Sequence, residues 1–439
     1  MARRSRRGGK ADIDLERRAL LKSGATLAAL GAAAAIPLLP GFGARPSGAA
    51  EPAGPQTRRR KGPHVAVVGA GAFGGWSALY LLRKGARVTL LDAWGPGNSR
   101  ASSGGETRVI RATYGPDRIY VDMVARALRL WRENEERWDR KLFHRTGVLW
   151  MAGANDAYEK ASVDLLRDAH LSVETWSAAE AAKRYPQINF DQVNWVIHEK
   201  DAGYLLARRA CQTLLEGFLL EGGEFRQTAA YPRPIEGKAL EGLKLSDGST
   251  LVADRYLFAC GPWLGTILPD VLGDLIRPTR QEVFFFGPSA GDPRFNEERL
   301  PVWIDNGSRI FYGIPGSEYR GFKVADDTHG PVVDPTTQER LPSAEGLKAA
   351  RDYMEFRFPG LKGAPLLESR VCQYENSPDG RFIIDRHPGA QNIWLAGGGS
   401  GHGFKHGPAL GERMAEMILD DKPPDPFFAL SRLDSRRQG

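Results

Sequence analysis

The residues of this 439-residue chain whose chemistry is plainest are glycines, in the run Gly69-Ala70-Gly71-Ala72-Phe73-Gly74. The run follows directly on a short apolar, β-branched stretch, His64-Val65-Ala66-Val67-Val68. In this setting Gly69 permits a tight turn, Gly71 lets the backbone approach a pyrophosphate, and Gly74 lets the next helix pack closely on the strand. A helix from about Gly75 to Arg83 would then aim its N-terminal amides at the phosphates. A second strand, Ala86 to Leu91, ends at Asp92, 18 residues after Gly74, where a carboxylate can accept hydrogen bonds from a ribose. Strand, glycine turn, helix and acid predict a dinucleotide site. They do not separate FAD from NAD, because both carry the adenosine diphosphate that such a site reads.

Two further segments read as parts of the same site. Tyr256-Leu257-Phe258-Ala259-Cys260-Gly261-Pro262-Trp263 is a buried strand that ends in a glycine turn. Asn392 to Ala396 is another, followed by Gly397-Gly398-Gly399-Ser400-Gly401-His402-Gly403-Phe404-Lys405 and a helix from Pro408 to Leu419. A glycine-rich loop that opens a helix brings backbone amides against a large cofactor, so Gly399, Gly401, Gly403, Phe404 and Lys405 join the candidate cofactor residues. The chain has three cysteines, Cys211, Cys260 and Cys372, with no CxxC and no Cys/His ligand spacing. A disulfide framework and a metal site are therefore not expected, and the odd thiol needs a role of its own.

The elements that hold these residues belong to a protein of ordinary globular composition, long enough for two or three domain-sized units. Its net charge is +7, but the first fifty residues carry nine Lys/Arg against three Asp/Glu, which leaves the body at +1. A nucleic-acid groove would need clustered charge in the folded part, so nucleic acid is not an expected partner. The basic N-terminus has another reading. Arg17-Arg18-Ala19-Leu20-Leu21-Lys22 precedes an apolar Ala/Leu run from Ala25 to Leu39 and small residues near Ala49-Ala50. Residues 1–50 thus resemble a twin-arginine signal, which predicts export of the folded protein to the periplasm or beyond, with the export machinery as a partner. A membrane anchor is the competing reading, weakened by the short run and by Pro37 and Pro40. Residues 51–61, rich in Pro, Gly and Arg, read as a linker.

Three motifs carry a resemblance that spans about Val65 to Ile418: Gly105-Glu106-Thr107-Arg108-Val109-Ile110-Arg111 with Tyr114-Gly115; Cys372-Gln373-Tyr374 with Phe382-Ile383-Ile384-Asp385; and Ser400-Gly401-His402-Gly403-Phe404-Lys405. In these the chain resembles the monomeric sarcosine oxidase and N-methyltryptophan oxidase branch of the D-amino-acid-oxidase-like FAD-dependent oxidoreductases. The resemblance implies FAD, attached through a thioether from the flavin ring methyl to Cys372. It implies a substrate carboxylate held by Arg111 and Lys405, with Arg108 near the flavin, Tyr374 lining the active site, and Lys323 over the flavin to promote reaction with oxygen. A guanidinium and an ammonium together suit a carboxylate, and a positive charge beside forming superoxide has a direct electrostatic reason.

Departures from the family pattern fall on the substrate side. Paired histidines are replaced by Ser103 and Gly104, an aspartate by Glu106, and a substrate-contacting histidine by Asp327, with His329 two residues on. A carboxylate at Asp327 would favour a cationic group elsewhere on the substrate, which points to an N-substituted, cyclic or basic amino acid rather than sarcosine. The expected fold is α/β: a Rossmann-type FAD domain (62–142, 201–280 and 371–425) interrupted by a substrate domain around a mixed sheet (143–200 and 281–370), with a tail over 426–439. The expected reaction is hydride transfer from a carbon next to nitrogen, then imine hydrolysis and release of hydrogen peroxide, by a monomer. The alternatives are a flavin dehydrogenase that passes electrons to a non-oxygen acceptor, a catalytically silent flavin-binding protein, and a nicotinamide dehydrogenase that would have no use for Cys372 or the Gly-His-Gly-Phe-Lys loop.

Overall fold

In the computed structural model of the chain, residues 61–436 are described. The expected signal over 1–50, and all but the last residue of the expected linker, lie outside the described residues. Two large sheets organise the rest. The first has six strands, in the order Ile383–Arg386, Ile393–Gly397, Arg255–Phe258, His64–Val68, Arg87–Asp92 and Glu224–Gln227. All neighbours are parallel except the first pair. Its central strand, His64–Val68, is buried on both faces, as parallel strands under helices must be. Val65 and Val67 enter one apolar core, and Ala66 and Val68 the other. The helices Ala72–Arg83 and Gly407–Leu419 pack together on one face, with Trp76 buried between them. The predicted Rossmann-type sheet is present, and its helices begin one to three residues earlier than the sequence suggested.

The second sheet has eight strands, in the order Leu366–Asn376, Arg277–Phe286, Phe322–Asp326, Ile310–Ile314, Val302–Asn306, Val148–Ala152, Trp195–Glu199 and Val173–Ser177. It is antiparallel except where Val302–Asn306 meets Val148–Ala152, so it is mixed, as expected. Strand alternation divides its labour. Phe284, Phe286, Phe322 and Val324 point to an apolar core that also contains Ala350 and Met354 of the helix Ala344–Arg357. The opposite face carries Tyr312, Lys323, Cys372 and Tyr374, all of which line one cavity. Register thus brings Lys323 to the same face as Cys372 and Tyr374 of the Cys-Gln-Tyr motif.

The described residues fall within one compact unit. Two expected domain boundaries, 280/281 and 370/371, lie inside the continuous strands Arg277–Phe286 and Leu366–Asn376. The expected tail is not loose. Phe428 is fully buried in the same core as Trp76, and Arg432 pairs with Asp379 at 2.9 Å. Among the described residues no helix is long and apolar enough to cross a membrane, and no group of three or more His, Cys, Asp or Glu could hold a metal ion.

Candidate active site

The glycine turn has the geometry its sequence requires. Gly69 has φ +105°, and a Cβ there would lie 2.3 Å from the Ala259 carbonyl oxygen; one on Gly74 would lie 1.8 Å from the Gly69 carbonyl oxygen. Neither position tolerates a side chain. Asp92 accepts from the amides of Ala70 at 2.8 Å, Trp94 at 2.9 Å and Gly95 at 2.8 Å, so it builds the turn as well as facing the cleft. Burial raises its pKa and the three amides oppose the rise. A cleft of about 350 Å³ runs past Gly69, Gly71, Asp92, Gly261, Gly399, Gly401, Gly403 and Phe404. The turn and the C-terminal loop, which are more than 300 residues apart in the chain, therefore share one wall.

Cys372, Arg108 and Lys323 line a second cavity of about 500 Å³, which shares Ala101, Arg108, Thr336 and Tyr374 with the cleft. An Arg108 Nη2 hydrogen is directed at Cys372 Sγ at 3.3 Å, and the same guanidinium donates to the carbonyls of Ser102 (2.5 Å) and Thr107 (2.8 Å). Lys323 is buried and donates to the Thr107 carbonyl at 3.3 Å. Burial, and then Arg108, pull its pKa down to about 7, so its charge is adjustable rather than fixed near neutrality. The other thiols differ from Cys372. Cys211 is buried with its pKa pushed to about 12, and burial also raises that of Cys260. Among the described residues, Cys372 is the one thiol that receives a hydrogen bond from a guanidinium.

The second cluster lies beyond Tyr374. The Arg111 guanidinium stacks 4.3 Å from the centre of the Tyr114 ring and 4.9 Å from that of Trp150; Lys405 Nζ lies 5.2 Å from the Tyr114 ring. Lys405 is buried, donates to the His402 carbonyl at 2.8 Å, and has its pKa depressed by burial and then by Arg111, with Asp327 opposing. The Tyr374 hydroxyl donates to Asp327 Oδ1 at 2.6 Å. Burial raises the Asp327 pKa, while Tyr374, Arg111, His329 and Lys405 restrain it. The turn that could have used Asp327 is served by its neighbour, because Asp326 accepts from the Thr328 amide and pairs with Arg309.

Several residues that position the site had no motif to announce them. Glu199 accepts from the amides of Ala112 (2.6 Å) and Thr113 (3.0 Å) and from the Thr113 hydroxyl (2.6 Å), which fixes the segment behind Arg111. The Tyr114 hydroxyl lies 3.0 Å from His402 Nδ1 and 2.8 Å from His406 Nε2; burial, then Lys405, hold both rings neutral. The replaced positions also have local reasons. Ser103 Oγ accepts from the Ala72 amide at 3.1 Å, and a Cβ on Gly104 would lie 1.8 Å from the Asn98 carbonyl oxygen, so no histidine can stand there. Glu106 is tied to Arg370 at 2.7 Å and to Arg208 at 3.4 Å.

Residues 64–417 match the family described as FAD dependent oxidoreductase, DAO. The chain belongs to this family of FAD-dependent oxidoreductases. Among its relatives are the monomeric sarcosine oxidase of an Arthrobacter species, 30% identical over 372 residues (83% of this chain and 94% of that protein), and the N-methyl-L-tryptophan oxidase of Salmonella arizonae, 30% identical over 376 residues (83% and 98%). The fold is similar to that of L-proline dehydrogenase from P. horikoshii, with TM-score 0.74 and 21% identity (85% of this chain, 98% of that one). It is also similar to fructosamine oxidase from Aspergillus fumigatus, with TM-score 0.72 and 21% identity (84% and 90%). The expected family, α/β fold and enzyme class, a sarcosine oxidase-like FAD-dependent amine oxidoreductase, therefore hold. The residues present suit FAD: a cradle at Gly69 and Gly74 that a Cβ would fill, an acid at the second strand's end, and a buried Glu375 oxygen on the cleft wall with no hydrogen-bond partner among the described residues.

Proposed function

We propose that this DAO-family oxidoreductase oxidises a small amine that also bears a carboxylate, such as an N-substituted, cyclic or basic amino acid. Bound FAD would supply a two-electron acceptor for hydride from the carbon next to nitrogen. Gly69, Gly71, Asp92 and the loop from Gly399 to Lys405 would hold it, with Arg108 beside the ring and Cys372 joined to it. The observation that carries the reading is the pairing of Arg111 and Lys405 over the one ring of Tyr114. A guanidinium and an ammonium brought together in this way would present a carboxylate with both a planar fork and a point charge. The substrate nitrogen must lose its proton before hydride leaves, so Asp327, hydrogen-bonded to Tyr374, favours a second basic or polar group on the substrate rather than the reacting nitrogen.

Lys323, charged over part of the neutral range, would stabilise the negative charge that develops on oxygen as it takes the electrons, with peroxide as product and the imine lost by hydrolysis. The twin-arginine signature fits loading of the cofactor before export of a monomer to the periplasm or the exterior. The test is a comparison of N-methyl amino acids, cyclic imino acids and basic amino acids with their methyl esters, read as oxygen uptake and peroxide. Acids should outrun esters through KM; equal KM values for acid and ester would remove the carboxylate from the proposal.

A further inference from the structure

Glu375 follows Cys372 by three positions on the strand Leu366–Asn376, and neither the family resemblance nor the chemistry above gives it a task. It is one of the least expected residues on the cleft wall. It is 9% exposed, Oε1 accepts from the Gly399 amide at 3.2 Å, and Oε2 has no hydrogen-bond partner among the described residues. An unpaired carboxylate oxygen out of water costs several kcal/mol unless something meets it. The surroundings leave room for a partner. A Cβ built on Gly261 would lie 3.3 Å from Oε2, and one on Gly399 would lie 2.8 Å from Oε1, so glycines on both flanks keep the carboxyl open to the cleft that it lines with Gly69 and Gly71. Without that partner, burial lifts its pKa to about 7.

The identity of the partner follows from what each part of the cleft can offer. Gly69 and Gly71 form the pyrophosphate turn, and Asp92 marks the adenosine end. Cys372, on the strand's other face and about 10 Å from Glu375 along the extended chain, lines the adjoining cavity and marks the flavin ring end. A pyrophosphate would repel a carboxylate, whereas the sugar-alcohol chain between pyrophosphate and flavin carries three hydroxyl donors and no charge. We infer that Glu375 is a cofactor-binding residue whose free oxygen accepts hydrogen bonds from the ribityl hydroxyls of FAD. This rests on FAD lying in the cleft, as the family requires.

The experiment uses the full chain carrying Cys372→Ala, so that flavin binding is reversible, alone and combined with Glu375→Ala or with Glu375→Met, which keeps the volume without the acceptor. FAD dissociation constants come from recovery of flavin fluorescence on dilution, and ADP affinity from its displacement of FAD. Both double variants should bind FAD at least about tenfold more weakly, the scale of one lost hydrogen bond to a charged group, with ADP affinity unchanged. Unchanged FAD affinity, or an equal loss for ADP, would overturn the assignment; the latter would place the contact at the pyrophosphate or in the fold itself. Failure of the parent Cys372→Ala protein to bind either ligand would instead indict the cleft as the FAD site.

Discussion

The Tyr374 hydroxyl donates to Asp327 at 2.6 Å, and this pair stands between the two cation clusters of the site. On one side are Arg111 and Lys405, whose fields restrain the Asp327 pKa; on the other are Arg108, Lys323 and Cys372. Where the family pattern has a histidine, this chain thus holds a half-buried acid with a phenol on it. The first prediction is that Asp327→Asn lowers kcat/KM for substrates with a second basic group about tenfold relative to neutral ones, the worth of one charge pair in a partly dry site. Steady-state kinetics on matched basic and neutral N-methyl amino acids checks it. Equal losses on both classes, or sarcosine as the best substrate of the unaltered protein, would refute the role.

Arg111→Ala and Lys405→Ala should each weaken carboxylate inhibitors by about 1.5–3 kcal/mol, tenfold or more, since each removes a charge-assisted hydrogen bond. The flavin spectrum should survive in Arg111→Ala, whose side chain bonds the Thr113 carbonyl and neither glycine-rich loop, and this variant therefore isolates the clamp from Lys405, which bonds His402 within the C-terminal loop. Titration of the flavin absorbance with small carboxylates is the measurement. Undiminished affinity for every carboxylate in both variants removes the clamp.

Flavin should stay with the polypeptide after acid precipitation of the native protein and be released from Cys372→Ser. Cys372 lines the cavity that Lys323 and Tyr374 also line, and the Arg108 guanidinium is aimed at its sulfur at 3.3 Å. Free FAD in the supernatant of the native protein would exclude the thioether while leaving FAD binding intact.

Reoxidation of the reduced protein by oxygen should slow as pH rises through about 7, because the depressed pKa of Lys323 means its ammonium is present below that value and lost above it. Lys323→Met should abolish this dependence and reduce the rate on the order of a hundredfold. Stopped-flow mixing of reduced protein with oxygen reads both. A pH-independent rate, unchanged in the variant, contradicts the electrostatic role.

Sequence reasoning reached the parts of this structure whose signal is local. The glycine turn, the strands His64–Val68 and Ile393–Gly397 and the helix Gly407–Leu419 each follow from a short run of residue types. It could not show that Lys323 and Cys372 meet, because that depends on the registers of Arg277–Phe286 with its two neighbours, which are set by pairings far apart in sequence. Glu199 and Glu375 read locally as ordinary acids ending or punctuating apolar strands; only the amides they face reveal their roles. Two of the expected boundaries fall inside continuous strands for a related reason, since a strand long enough to serve both the site and the sheet has no break to see. For the C-terminal segment, the adjacent Phe427 and Phe428 were the available sign of docking.

Anaerobic mixing of the purified full chain with a panel of N-methyl, cyclic and basic amino acids, followed by flavin absorbance, tests the central claim most directly. At least one carboxylate-bearing amine should bleach the oxidised flavin band with saturation, and readmitted oxygen should restore it with one peroxide per flavin. A protein that carries FAD but is bleached by none of them would contradict amine oxidation at this site.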